Sequence, residues 1–140
     1  MAPNKNADDG LAWTADMVDH VNRVIEGTWD VESIEALKSH YTPANIQSVT
    51  SDLAYYRILP ARFALELAKE LDYVIEQDIW WAKQIDLFPH ELNWTPLFAE
   101  LRAHPRFGEY LEAASIVAYW DATEWTDWCR RSADNRVICE

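Results

Sequence analysis

Residues 61–77, ARFALELAKELDYVIEQ, leave the backbone little choice. Ala, Leu, Glu and Lys lose little rotamer freedom in a helix. Phe63, Leu67, Leu71 and Val74 recur at helical spacing, and Leu65, Ala68 and Ile75 widen the stripe. A face that wide needs more than one neighbour to cover it. Those neighbours are predicted to be helices too. The chain has only 3 glycines, and folds built from tight hairpins need many residues at positive φ. Apolar residues make up 49% of the 140 positions, enough for a real core. The predicted class is all-α, built of antiparallel helical hairpins.

The other helices follow from capping and periodicity. Residues 13–27 read as a helix with Thr14 as cap, Asp16 and Asp19 near its positive end, and Gly27 as a left-handed stop. Met17, Val21, Val24 and Ile25 are its predicted buried stripe. Asp30 caps a second helix over 31–40, where Val31, Ile34 and Leu37 recur every third residue. Thr42-Pro43 supplies a capping hydroxyl and then a proline in the first turn, and starts a helix towards Leu59. The β-branched run at 46–50 also allows a strand there. Pro60 is expected to close that segment, and a short helix is expected around 79–84. Phe88 precedes Pro89 and is pushed toward extended geometry. Thr95-Pro96 repeats the start signal for a helix to Ala103, which His104-Pro105 breaks. Helices over 106–114 and 116–122 follow, then an extended tail over 130–140, pinned at its end. No Gly/Ser-rich linker interrupts the chain. The reading is a disordered tail over 1–12 and one helical domain over 13–140.

The net charge of −12 opposes binding to nucleic acid and to anionic membrane, both of which rest on Lys and Arg neutralising phosphate. No apolar run approaches the ~18 residues that span a bilayer. The first ten residues lack the apolar core of an export signal. A cytoplasmic location with a reducing environment is therefore expected.

Motifs that carry chemistry are sparse. Asp16 and His20 share a helix face, as do Glu100 and His104, but neither pair has a third and fourth metal ligand in the sequence. Cys129 and Cys139 have no histidine at zinc spacing. They either form a disulfide that pins the tail or lie reduced and buried as small hydrophobes. No Gly-rich phosphate loop and no CxxC is present. No catalytic residue, cofactor or metal is expected. The sharpest candidates are aromatic: Trp80 and Trp81, with Phe88 and Trp94 nearby. Adjacent helical positions point about 100° apart, so either one of the two indoles is exposed as an anchor for a partner or both lie in an aromatic core between helices.

The segment from 96 to 130 carries Leu101-Arg102, His104-Pro105-Arg106-Phe107, Tyr119-Trp120, Trp125 and Trp128-Cys129, and the chain closes on Val137-Ile138-Cys139-Glu140. This ordered set resembles a recurrent C-terminal segment of bacterial tetratricopeptide-repeat proteins. His104 stands where that segment usually carries Asp, and Thr126 where proline is common. The resemblance implies a TPR-like helical stack with an aromatic-rich C-terminal cap made of Arg106, Phe107, Tyr119, Trp120, Trp125 and Trp128. It implies a non-enzymatic role in binding a protein partner or a second copy of the chain. Stacked repeats usually number three or more. Residues 43–114 offer about two helix pairs by that count, so the N-terminal helices or another chain must complete the stack. Residues 21–52 are also similar to the opening of NTF2-like proteins. That likeness implies strands after Pro60 and a small-molecule pocket or isomerase-like site using His40, Tyr41 and Asp52.

Overall fold

The computed structural model describes residues 5–47, 52–84, 94 and 98–140, with the backbone alone over 5–14, 47 and 52–57. It is mostly helical, with one small two-stranded sheet among the described residues. The chain divides into two compact units, residues 1–70 and 71–140.

The first unit holds α1 (Lys5–Glu26), α2 (Val31–His40), α3 (Pro43–Gln47) and α4 (Asp52–Leu67). α1, α2 and α4 each pack against the other two. Met17 and Val24, Ile34 and Leu37, Ile46, and Ile58, Ala61 and Leu65 are buried there. Each large aliphatic side chain buried in this way contributes about 1.5–3 kcal/mol.

The local signals set these helix ends. Asp30 accepts from the Ser33 N–H at 2.9 Å, and the Thr42 hydroxyl accepts from the Asn45 N–H at 3.3 Å. Gly27 has φ +74°. Its N–H reaches the Val24 carbonyl, and the Thr28 N–H reaches that of Arg23. Those are the paired bonds of a left-handed helix stop.

Several expectations differ from the structure. α1 begins at Lys5, so Thr14 is interior and residues 5–12 are helical. α4 runs through Pro60. Proline there forgoes one helix bond, at about 3 kcal/mol, but Ile58, Ala61 and Leu65 are buried on either side of it. The helix expected over 61–77 is broken at Lys69, whose φ is 65°. The Lys69 N–H donates to Glu66 O at 3.0 Å, and the Glu70 N–H donates to Leu65 O at 2.9 Å. The wide apolar stripe is thereby shared out: Leu65 is buried in the first unit, and Val74 and Ile75 in the second. Ile25 and Val31, assigned to buried stripes, are exposed instead, because His20 and Ser33 take inward positions on α1 and α2. The strand alternative for 46–50 falls partly on residues 48–51, outside the described set. Ile46 and Gln47 are helical. The strands expected after Pro60 from the NTF2-like likeness are not found among the described residues, where 60–67 and 71–84 are helical.

The second unit holds α5 (Leu71–Gln84), α6 (Ala99–Arg102), α7 (Phe107–Ala113), α8 (Ile116–Ala122), β1 (Cys129–Arg131) and β2 (Val137–Cys139). α7 is its centre and packs on α5, α8 and β2. Phe107, Tyr110 and Leu111 form its buried face. The extended tail is a hairpin, with Cys129 opposite Cys139, Arg130 opposite Ile138 and Arg131 opposite Val137. The starts at Thr95-Pro96 and the bend at Phe88-Pro89 lie outside the described residues. No helix among the described residues is long and apolar enough to cross a membrane.

Candidate functional site

The hairpin is built by its turn. Asn135 takes φ 65°, the Asn135 N–H donates to Ser132 O at 2.9 Å, and the Ser132 N–H donates to Arg136 O at 2.8 Å. That is a three-residue hairpin loop with a left-handed last residue, a position asparagine tolerates. The Ser132 hydroxyl bonds the Asp134 carboxylate and accepts from the Arg136 N–H at 3.1 Å. The Ser132 bond is the main cause that holds the Asp134 carboxyl below its usual range.

Register then decides which side chains face solvent. Hydrogen bonds close the pairs 132–136 and 128–140. The alternating ladder therefore makes 130–138 a bonded pair and 129–139 and 131–137 non-bonded pairs. The disulfide sits in the non-bonded 129–139 pair, with Cα atoms 4.1 Å apart. Cys129, Cys139 and Val137 are buried. Trp128, Arg130 and Ile138 belong to the opposite face. Trp128 is 44% exposed and Ile138 37%. Of the two alternatives for the cysteines, the structure has the disulfide that pins the tail.

Aromatic packing supports this face from behind. Trp94 lies 6.2 Å from Phe107, 5.9 Å from Trp120 and 6.2 Å from Trp128. Trp120 lies 5.2 Å from Trp125. Asp121, near the end of α8, accepts from Trp125 Nε1 and from Arg131 Nη2, each at 3.0 Å. The Arg131 guanidinium lies 5.3 Å from the Trp125 ring centre, and that of Arg102 lies 4.9 Å from the Trp128 ring centre. Arg102 is buried, and its Nε donates to the Glu140 carbonyl at 3.3 Å. Burial lowers its pKa, yet an arginine stays charged near neutrality. A cleft of about 290 Å³ beside β2 is lined by Arg102, Ala103, His104 and Pro105 on one side and by 136–139 on the other.

The sequence candidates are distributed unevenly over this site. Trp81 is fully buried, so it presents no surface to a partner, and Trp80 is half-buried. Trp94 is the hub of the aromatic cluster, and Phe88 lies outside the described residues. Among the six cap residues, Phe107 and Trp120 are buried, while Tyr119 is exposed. Arg106 pairs with Glu109 at 3.0 Å. That pairing raises the Arg106 pKa and lowers that of Glu109. His104 bonds Asp72 on α5 at 2.6 Å, not Glu100. Its Nδ1 accepts from the Arg106 N–H at 3.1 Å, so Nε2 carries the proton that bonds Asp72. Ile138 and Arg130 were missed by sequence reasoning. The turn residues Ser132, Asp134 and Asn135, set between Cys-Arg-Arg and Val-Ile-Cys, were the available signal.

A second cluster forms in the first unit. Asp16 and His20 share a face of α1 as expected, and α2 brings His40 to the same carboxylate. His20 Nε2 is 3.4 Å and His40 Nε2 3.7 Å from the Asp16 oxygens. Both rings are buried. Burial lowers the pKa of His40, Asp16 opposes that shift, and His20 adds to it. Tyr41 is buried beside it in sequence, and the side chain of Asp52 lies outside the described set. Among the described residues, no three His, Cys, Asp or Glu side chains converge as metal ligands.

No family model, no curated protein and no solved structure matches this chain. The tetratricopeptide and NTF2-like likenesses therefore rest only on the residues quoted for them.

Proposed function

We propose that this chain is a non-enzymatic protein-binding module that recognises its partner through the solvent face of the β1–β2 hairpin. The carrying observation is the exposure of Trp128 and Ile138 on one face of a disulfide-stapled hairpin that also carries Arg130. Tryptophan and arginine are the side chains most enriched where binding energy concentrates. A rigid hairpin loses little conformational entropy when it docks. The packing of Arg102 on Trp128 fixes the indole before any partner arrives. The helices act as a scaffold in this reading, and the aromatic cluster as the support of the face.

Selection of a random peptide library on the immobilised protein tests this. The expected winners combine acidic residues with an aromatic or aliphatic anchor, and their binding is lost in Trp128→Ala. A library that yields no binders, or binders indifferent to Trp128→Ala and Arg130→Glu, overturns it.

A further inference from the structure

We propose that the Cys129–Cys139 bridge is a redox switch. A dithiol reductant opens it through the cleft beside β2, and the hairpin comes apart while the helices stay folded. That the hairpin carries a binding face is the reading above. That it depends on its bridge is tested separately.

The hairpin is too small to stand without the crosslink. Each strand has three residues, and among the described residues the two pair only with one another. One bonded pair, 130–138, lies within the ladder, and single bonds close the pairs 132–136 and 128–140. Two-stranded hairpins of this kind are marginal in water. The bridge sits at the open end, away from the turn, and joins residues 10 apart. Loop entropy over that length favours the closed form by roughly a hundredfold.

The helices of the second unit have a core of their own. Val74 and Ile75 of α5, Leu101 of α6, Tyr110 and Leu111 of α7 and Val117 of α8 are buried, and α7 packs on α5 and α8 as well as on β2. Opening of the hairpin is therefore a local event, below the cost of unfolding the unit.

The bridge also has a way in. Both cysteines are buried, but Cys139 lines the cleft of about 290 Å³ and Cys129 does not. A thiol entering the cleft meets Cys139 first. Its thiolate attacks Cys139 Sγ, a mixed disulfide forms, and Cys129 leaves as a thiolate that takes up a proton. The second thiol of the reagent then displaces Cys139 and closes the reagent's own disulfide. Two electrons and two protons pass from the dithiol to the bridge. Arg102 favours closing it again, because it holds the neighbours of both cysteines. Its guanidinium lies over Trp128, one residue before Cys129, and its Nε donates to the carbonyl of Glu140, one residue after Cys139.

Amide exchange of the full chain with and without dithiothreitol tests the proposal. On reduction, the amides of 129–139 are expected to exchange roughly 100-fold faster, with little change over α5 and α7. Oxidised glutathione should restore their protection. Cys129→Ser with Cys139→Ser should show the reduced pattern without any reagent. A short pulse of 2-mercaptoethanol, quenched with iodoacetamide, should leave the thiol adduct on Cys139 and the iodoacetamide label on Cys129. A reduced hairpin that keeps its protection overturns the proposal, as does a bridge that dithiothreitol cuts only where the whole chain unfolds. Loss of protection over α5 and α7 on reduction makes the bridge a structural staple and overturns it too. A first adduct on Cys129 removes the route through the cleft. A hairpin that opens while library peptides bind both forms equally keeps the switch and removes the binding face. One that stays closed on reduction while peptides still bind through Trp128 keeps the face and removes the switch.

Discussion

Gly108 and Val137 meet backbone to backbone. A Cβ at Gly108 would lie 2.9 Å from the Val137 Cβ and still closer to its carbonyl oxygen. The hairpin therefore docks on α7 through a gap in which no side chain fits. Gly108→Ala must push β2 away, at about 1–3 kcal/mol by the usual cost of overpacking. Alanine is the better helix former by about 1 kcal/mol, so a net loss of stability can only come from the clash. Urea unfolding should show that loss, and amide exchange over 129–139 should quicken. Unchanged or increased stability would mean the hairpin is not seated as described.

Arg62 and Glu66 lie one turn apart on α4, with Nη1 2.7 Å from Oε1 and the two side chains 2% and 6% exposed. Breaking a buried ion pair from one side is strongly destabilising, and Glu66→Ala is expected to cost about 3–5 kcal/mol. The double variant Arg62→Met with Glu66→Leu should cost less than the two single changes summed, because each single change already removes the bond between them. Additive losses in a double-mutant cycle would show that the pair is not coupled.

His40 gives the first unit a pH dependence with a definite sign. Burial sets its folded pKa below the reference value of 6.5. The unfolded chain then binds a proton that the folded chain refuses. Its contribution to stability is full above about 6.5 and is lost as pH falls through the lower, folded value. Asp16→Asn should lower the His40 pKa further, since the Asp16 carboxylate favours the charged ring. A ring resonance that titrates at or above 6.5 would contradict this.

Lys69 holds a left-handed conformation, at φ 65°, that glycine adopts without steric cost. Lys69→Gly should raise stability by roughly 0.5–1 kcal/mol, the relief of about 1–2 kcal/mol being partly offset by the freer unfolded chain. Lys69→Ala keeps the Cβ and should give no such gain. A lower urea midpoint for Lys69→Gly would count against the assigned helix stop.

The helix starts and stops at Asp30, Thr42 and Gly27 were legible because each rests on hydrogen bonds spanning no more than five residues. The helices expected over 106–114 and 116–122 agree closely with α7 and α8 for the same reason: breaks flank both. Burial was harder to read. Adjacent positions on α1 can both be apolar, and only the placement of α2 and α4 decides that Val24 turns inward while Ile25 meets solvent.

The helical class and most helix ends were already written in the sequence, because they depend on short-range backbone chemistry and composition. Tertiary structure alone decided that α4 passes through Pro60 and that Trp81 is sealed in. It also decided that His40 joins Asp16 and His20, and that the tail folds back so that Trp128 and Ile138 share an exposed face. Those outcomes depend on which distant segments come to lie against each other, and no local pattern of residues encodes that contact.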